Sequence, residues 1–221
     1  MLGMADLSNV LASHGLVSSV KGTSVDEATM ARLGEEMEPA ERPPAPGSLR
    51  LVQQFLNTYN HEFPPDADRL STPEKAARWL TSHGLMAPSA RVSEPGRRRL
   101  VRAREALRSL VRAGKESPVT ADDLRVLNEA GRTYLSIRFG PDGAPRLEPA
   151  STGADAALGN VLAAGYAAWL SGTLPRLKAC AQCEWVFYDL SKNRSGTWCS
   201  MRICGNRAKN RAYRRRRSAG T

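Results

Sequence analysis

The chain has 221 residues, of which 41% are hydrophobic and 24% charged, with four cysteines and a formal net charge of +10. This length and apolar content allow one medium domain plus a small module, and they exclude a wholly disordered polyelectrolyte. No uninterrupted apolar run approaches the roughly 20 residues of a membrane-spanning helix, and no secretory leader is visible, so the cysteines are expected to stay reduced in the cytoplasm.

Residues 1–48 are read as a mobile N-terminal extension. Leu7 to Val20 is weakly amphipathic, Ala28 to Met37 suits a short helix, and Met4 and Met30 are alternative starts. Pro39 to Ser48 contains four prolines, which neither continue a helix nor enter a central strand, so the stretch reads as a linker.

Residues 49–175 form the main domain, mostly helical. Leu51, Val52, Phe55, Leu56 and Tyr59 recur at helical spacing. Within that run, Phe55-Leu56-Asn57-Thr58 resembles the opening motif of the ABATE domain, a unit labelled as a stress-induced regulator and usually found before a CGNR zinc finger. Asn57 and Thr58 are candidates for lining a small-molecule effector pocket. They suit equally a helix end or a bridge to a neighbouring loop. A second helix begins at Thr72 as N-cap with Pro73 behind it, carries Ala76, Ala77, Trp79 and Leu80 on one side, and stops at Gly84. His61 and His83 stand alone and read as surface or cap residues. Arg97 to Ala113 is a third helix with Leu100, Val101, Arg104, Leu107, Leu110 and Val111 in period, a basic face of Arg98, Arg102, Arg108 and Arg112, and Gly114 beyond its end. Thr120 with Asp123 opens a fourth helix through Leu124 and Leu127.

The period then changes from 3.6 to 2. Tyr134 to Phe139 alternates as a strand, Gly140-Pro141-Asp142-Gly143 is a turn, and Arg146-Leu147-Glu148 returns as the second half of a hairpin. Ala154 to Leu170 is a helix rich in small residues. No Pro/Gly/Ser linker separates Leu174-Pro175-Arg176-Leu177-Lys178 from the first cysteine, so residues 176–221 are predicted to dock on the main domain.

That last segment holds all four cysteines, as Cys180-x2-Cys183, fifteen residues, then Cys199-x4-Cys204. Two close pairs flanking a short loop are the ligand pattern of a structural four-thiolate zinc site. The loop between them is predicted to fold as a hairpin, with Trp185 to Tyr188 as one strand, Lys192 to Gly196 as the turn and Thr197-Trp198 leading back. Ala208 to Arg217 contains nothing that breaks a helix. The arrangement is treble-clef-like, and the fold class is α+β.

Residues 176–221 carry 12 Lys and Arg against Glu184 and Asp189, whereas residues 1–175 carry 20 of each sign. The whole charge excess therefore lies on the zinc module, and such asymmetry points to a polyanion. Lys192, Arg194, Lys209, Arg211, Arg214, Arg215, Arg216 and Arg217 are candidate phosphate contacts. Asn206, Arg207 and Asn210 are candidates for base edges, since Asn suits adenine and Arg suits guanine. Double-stranded DNA is the expected partner. An RNA- or protein-binding adaptor is the alternative, in which Trp185, Phe187, Tyr188 and Trp198 would stack on bases if exposed.

Trp198-Cys199-Ser200-Met201 and Cys204-Gly205-Asn206-Arg207, with Phe187-Tyr188-Asp189 and Ser191 to Ser195 upstream, resemble the CGNR zinc finger. The first cysteine pair is closer here than in many members. The resemblance implies one structural Zn²⁺ and a DNA-binding regulator of transcription. No Gly-rich phosphate loop, nucleophile elbow or His-Glu-x-x-His run is present, and no enzymatic activity is expected.

Overall fold

A computed structural model describes residues 42–60, 67–113 and 118–219. The expectations for residues 1–41, for His61 and for Gly114 lie outside the described residues. The order of elements is α1 (Leu49–Leu56), α2 (Pro73–Ser82), α3 (Glu94–Arg112), α4 (Ala121–Tyr134), β1 (Leu135–Phe139), β2 (Pro145–Pro149) and α5 (Gly153–Leu170). A short turn, Leu174–Arg176, leads to β3 (Leu177–Ala179), β4 (Val186–Tyr188), a wide helical turn at Met201–Gly205, and α6 (Asn206–Ala219). The result is a mainly helical N-terminal unit with small antiparallel hairpins and a C-terminal four-cysteine cluster, an α+β fold. Among the described residues no helix is long and apolar enough to cross a membrane.

Local chemistry sets the helix starts. Thr72 Oγ1 accepts the amide of Lys75 at 3.2 Å ahead of Pro73, and Thr120 Oγ1 accepts that of Asp123 at 3.1 Å. His83 ends α2 with its ring stacked 4.2 Å from that of Trp79. Helix α3 starts three residues earlier than Arg97, because Ser93 caps Gly96 and Pro95 fits the first turn.

The core lies where α1, α3 and α5 meet. Leu49, Val52, Phe55, Leu56, Leu100, Leu158 and Val161 are all at most 2% exposed. Each such side chain contributes roughly 1.5–3 kcal/mol of transfer free energy. Gly159 lets α5 approach the base of the β1–β2 hairpin, since a Cβ there would fall 2.5 Å from the carbonyl oxygen of Tyr134.

Two arginines of α3 are buried, Arg104 as its place in the apolar period implies and Arg108 against the reading of a solvated basic face. Arg104 and Arg108 are 2% and 1% exposed, so Arg108 does not belong to the solvated basic face. Arg104 donates to both carboxylate oxygens of Asp68, at 2.6 and 2.8 Å, and to Thr58 Oγ1 at 3.0 Å. Burial works against its charge, and Asp68 together with Glu105, whose carboxylate accepts from Arg104 Nε at 2.7 Å, more than restores it. Arg108 donates to the carbonyls of Leu56 and Tyr59 where α1 ends, where a cation complements the helix dipole. Burial pulls its pKa down, yet a guanidinium stays charged.

The finger packs on this unit. Leu177, Val186 and Tyr188 belong to the same apolar cluster as the residues of α1, α3 and α5. The stretch read as a linker is also docked from Arg42 onward. Ala45 is 3% exposed, its amide donates to Gln53 Oε1 at 2.7 Å, and the Arg42 guanidinium lies 5.0 Å from the ring centre of Trp185.

Candidate metal centre and basic helix

The cysteine-bearing hairpin differs from the one expected. β4 pairs antiparallel with β3, which precedes the first cysteine, in the register Leu177↔Tyr188, Lys178↔Phe187 and Ala179↔Val186. Cys180 and Cys183 therefore occupy the tip of this hairpin, and Thr197 meets the knuckle only through its carbonyl, which accepts the Ala181 amide at 3.0 Å. The three residues Leu177-Lys178-Ala179 are too few to show a period of two, so this pairing is invisible in the sequence. At the tip the Glu184 amide donates to the Cys180 carbonyl at 2.8 Å, with Glu184 at φ +59°, a left-handed conformation unusual for a residue with a Cβ. Arg108 Nη1 holds the Glu184 carbonyl at 3.4 Å and Arg112 Nη2 its carboxylate at 3.2 Å.

The second pair comes from the turn before α6. Ser200 Oγ accepts the Ile203 amide at 3.3 Å, and the Ser200 carbonyl accepts those of Cys204 and Gly205 at 2.9 and 3.1 Å. This local capping swings Cys204 back toward Cys199. All four thiols are buried, no disulfide links them, and their sulfurs lie within 4.8 Å of one another. The Cys183–Cys199, Cys199–Cys204 and Cys204–Cys183 Sγ distances are each 3.6 Å. A regular ZnS4 tetrahedron with 2.3 Å bonds has edges of about 3.8 Å, whereas a disulfide would be about 2.05 Å. The donor set thus fits Zn²⁺, and the four sulfurs can hold one ion. Backbone amides of Gln182 and Cys199 point at Cys180 Sγ and that of Trp185 at Cys183 Sγ, a setting that stabilises thiolates. With no cation, hydrogen bonding to Cys180 pushes the Cys183 thiol up to about 12, and Cys199 is raised by the same crowding. A dication held by Cys180, Cys183, Cys199 and Cys204 would reverse that preference and favour the thiolates, and with four protein ligands its contribution would be structural.

A buried carboxylate organises the loop between the pairs. Burial alone would raise the pKa of Asp189, but bonds from Lys178 Nζ at 2.8 Å, the Ser191 amide at 2.9 Å and the Gly196 amide at 2.8 Å hold it well below the usual range. A Cβ on Gly196 would sit 2.7 Å from Asp189 Oδ1. Lys178 also donates to the carbonyls of Arg194 and Gly196, and Arg176 Nη1 to those of Asp189 and Ser191. Two of the twelve cations of this segment are therefore spent inside the finger. The aromatic residues Trp185, Phe187 and Tyr188 are at most 8% exposed and pack against the cysteines or the main core, while Trp198 is half-buried.

The candidate nucleic-acid residues are placed otherwise. Lys192 and Arg194 are exposed on the loop, and Asn206, Arg207, Lys209, Asn210, Arg211, Arg214, Arg215, Arg216 and Arg217 are exposed on α6. Within α6 only Ala208 and Ala212, one turn apart, are half-buried among the described side chains. At 100° per residue, the face roughly opposite to these alanines carries Asn206, Asn210, Arg214 and Arg217, bordered by Arg207 on one side and the exposed Tyr213 on the other. Asn206 Nδ2 donates to the Arg202 carbonyl at 2.9 Å, which ties that amide to the preceding turn.

Asn57 and Thr58 lie at the junction of the two units. Asn57 Nδ2 donates to the Val186 carbonyl at 2.8 Å and Asn57 Oδ1 accepts its amide at 2.9 Å, while Gln53 Nε2 reaches the same carbonyl at 3.4 Å. Thr58 Oγ1 donates to the Phe55 carbonyl and accepts from Arg104. A separate shallow cleft of about 330 Å³ is lined by Asp68, Arg69, Lys75, Arg78, Trp79 and Ser82. Sequence reasoning missed Gln53, Arg108, Lys178 and Asp189. The short turn chemistry of Asp189 with Ser191 is a local signal, but the other three act across the tertiary fold.

A family model described as "CGNR zinc finger" matches residues 176–217. A second, ABATE, described as "Putative stress-induced transcription regulator", matches residues 49–173, more than half of the chain. The chain belongs to the ABATE family. No curated protein matches it. The boundary between the ABATE match and the CGNR match falls at the Leu174–Arg176 turn, immediately before the hairpin that carries the knuckle.

Proposed function

We infer that this ABATE–CGNR protein is a zinc-dependent, double-stranded-DNA-binding regulator of transcription that works in the cytoplasm by binding and not by catalysis. The observation that carries the reading is α6. It rises from the fourth cysteine, has Ala208 and Ala212 as its half-buried positions, and turns a face of asparagines and arginines to solvent. A B-DNA major groove admits one helix, and Asn and Arg are the side chains that pair bidentately with adenine and guanine. Lys192, Arg194, Lys209, Arg215 and Arg216 would contact flanking phosphates and supply salt-dependent affinity. Zinc would set the angle of α6 by fixing Cys204 one residue before the Gly205-Asn206 junction. Burial of the finger's aromatic strand favours this reading over an RNA-stacking platform. The cleft beside Asp68 is where a small-molecule effector would enter, because Asp68 binds Arg104 and Arg104 binds Thr58 next to Asn57.

The test is competitive enrichment. Zinc-loaded protein is mixed with fragmented double-stranded genomic DNA and total RNA at near-physiological salt, and the retained nucleic acid is sequenced. Enrichment of a few DNA loci is expected. Uniform retention of all DNA, or preference for RNA, would refute a sequence-specific regulator.

A further inference from the structure

The β1–β2 hairpin has one blocked edge and one open edge. Its register runs from Leu135↔Pro149 to Phe139↔Pro145. Bonds from the Gly140 amide to Ala144 and from the Ala150 amide to Tyr134 fix which pairs face each other. By the alternation of an antiparallel ladder, Ser136 and Arg138 point their backbone groups at β2, and Leu135, Ile137 and Phe139 point theirs away. On β2 the outward positions are Pro145, Leu147 and Pro149. Two of these three lack an N–H, the usual means of keeping an edge from pairing. β1 has no such protection, and among the described residues its outward amides and carbonyls meet no other strand.

The side chains follow the same division. Leu135, Ile137, Phe139, Pro145, Leu147 and Pro149 share one face of the hairpin, and Ser136, Arg138, Arg146 and Glu148 share the other. The base of the apolar face is covered, where Pro149 meets Gly159 of α5. Its tip is bare: Ile137 is 67% and Phe139 72% exposed. An open, β-prone edge with an uncovered apolar face would be unfavourable in an isolated monomer.

We propose that β1 is a homodimerisation edge, pairing antiparallel with β1 of a second copy about a two-fold axis through Ile137 to give a continuous four-stranded sheet. The sequence is self-complementary in this register. Ile137 lies opposite Ile137 of the second copy, Phe139 opposite Leu135, and Arg138 opposite Ser136, so no like charges face each other. The outward groups of Leu135, Ile137 and Phe139 all gain partners. Each bare tip also comes to lie beside the other copy's hairpin base, where α5 supplies apolar cover. A dimer of this kind presents two fingers, but the inference rests on the hairpin alone and not on DNA binding.

The test uses the full zinc-loaded chain without nucleic acid. Sedimentation equilibrium should show a concentration-dependent dimer, and Ile137→Lys should weaken it at least tenfold, while zinc content stays at the wild-type value and so does the melting temperature taken at a concentration where both chains are monomeric. Register is read by cross-linking. Residues opposite themselves in a hydrogen-bonded pair have Cα atoms about 5.5 Å apart, within disulfide reach. Ile137→Cys should therefore form a covalent dimer under mild oxidation, whereas Phe139→Cys and the wild-type chain should not. A chain that stays monomeric at all concentrations would overturn the proposal. So would a dimer that tolerates Ile137→Lys and resists cross-linking through Ile137→Cys.

Discussion

Asn57, just past the end of α1, pairs its side-chain amide with both backbone groups of Val186 on the finger strand β4, at 2.8 and 2.9 Å. β4 has β3 on one side only, and Val186 is a position whose N–H and C=O point away from β3. The amide of Asn57 thus serves as one residue of a missing third strand, and it fastens the CGNR finger to the ABATE domain. Gln53, one helical turn earlier, ties the same carbonyl to Ala45.

Asn57→Ala removes two buried hydrogen bonds, leaving the Val186 amide without its partner and its carbonyl with only the longer bond from Gln53 at 3.4 Å. Each buried group left unsatisfied costs about 1–3 kcal/mol, so the variant should be less stable by roughly 2–4 kcal/mol in denaturant titration. Limited proteolysis should cut first near Leu174–Arg176. An unchanged midpoint would mean that the clasp contributes nothing.

Arg108 and Arg98 lie on the same helix, but they should behave differently. Arg108→Ala strips the end of α1 and the Glu184 carbonyl of a buried cation, and a loss of about 3 kcal/mol is expected. Arg98→Ala, exposed and bonded to Glu94 at 3.4 Å, should stay within about 0.5 kcal/mol. Thermal melts of the two variants decide the matter, and similar shifts would contradict the burial difference.

Removing zinc should unfold the finger while the helical unit keeps its core. Trp185, buried beside the cysteines, should then show a red-shifted emission, and Cys199→Ser should give the same signature without a chelator. Binding converts thiols to thiolates and releases protons, so zinc affinity must fall as pH falls. Metal release monitored with a chromogenic chelator should move to lower chelator concentration at pH 5.5 than at pH 7.5. Pronounced retention at acid pH would argue against an all-thiolate site.

Gly196→Ala places a methyl group 2.7–3.0 Å from the Asp189 carboxylate. Crowding of this kind typically costs about 1–3 kcal/mol. The loop bearing Lys192 and Arg194 should become more exchange-labile in hydrogen exchange, with zinc stoichiometry unchanged. Protection equal to wild type would show that the loop yields freely.

Arg215→Ala combined with Arg216→Ala removes two candidate phosphate contacts. The slope of log K against log salt should fall by about 2, equally for every DNA sequence. Asn210→Ala should instead lower affinity for the enriched sequence alone. A slope unaffected by the double change would separate these arginines from the nucleic acid.

Several features were settled by the sequence alone, because they are local. The paired cysteines, the segregation of all net charge from Arg176 onward, the caps at Thr72 and Thr120, and the Gly140–Gly143 turn are read directly from residue type and spacing along the chain. The tertiary structure decided what depends on distant neighbours. Arg108 reads as part of a solvated basic face until α1 and the knuckle close over it, and Arg104 falls in the apolar period without a visible partner until Asp68 reaches it. Val186 reads as half of a hairpin within the cysteine loop until Leu177–Ala179 takes one of its edges and Asn57 the other. Residues 42–48 read as a linker until Ala45 and Arg42 find Gln53 and Trp185. In each case a polar group is desolvated, and the partners that make its burial tolerable, Asp68 for Arg104, Leu56 for Arg108, Asn57 for Val186 and Gln53 for Ala45, are brought to it only by the folded arrangement of the helices.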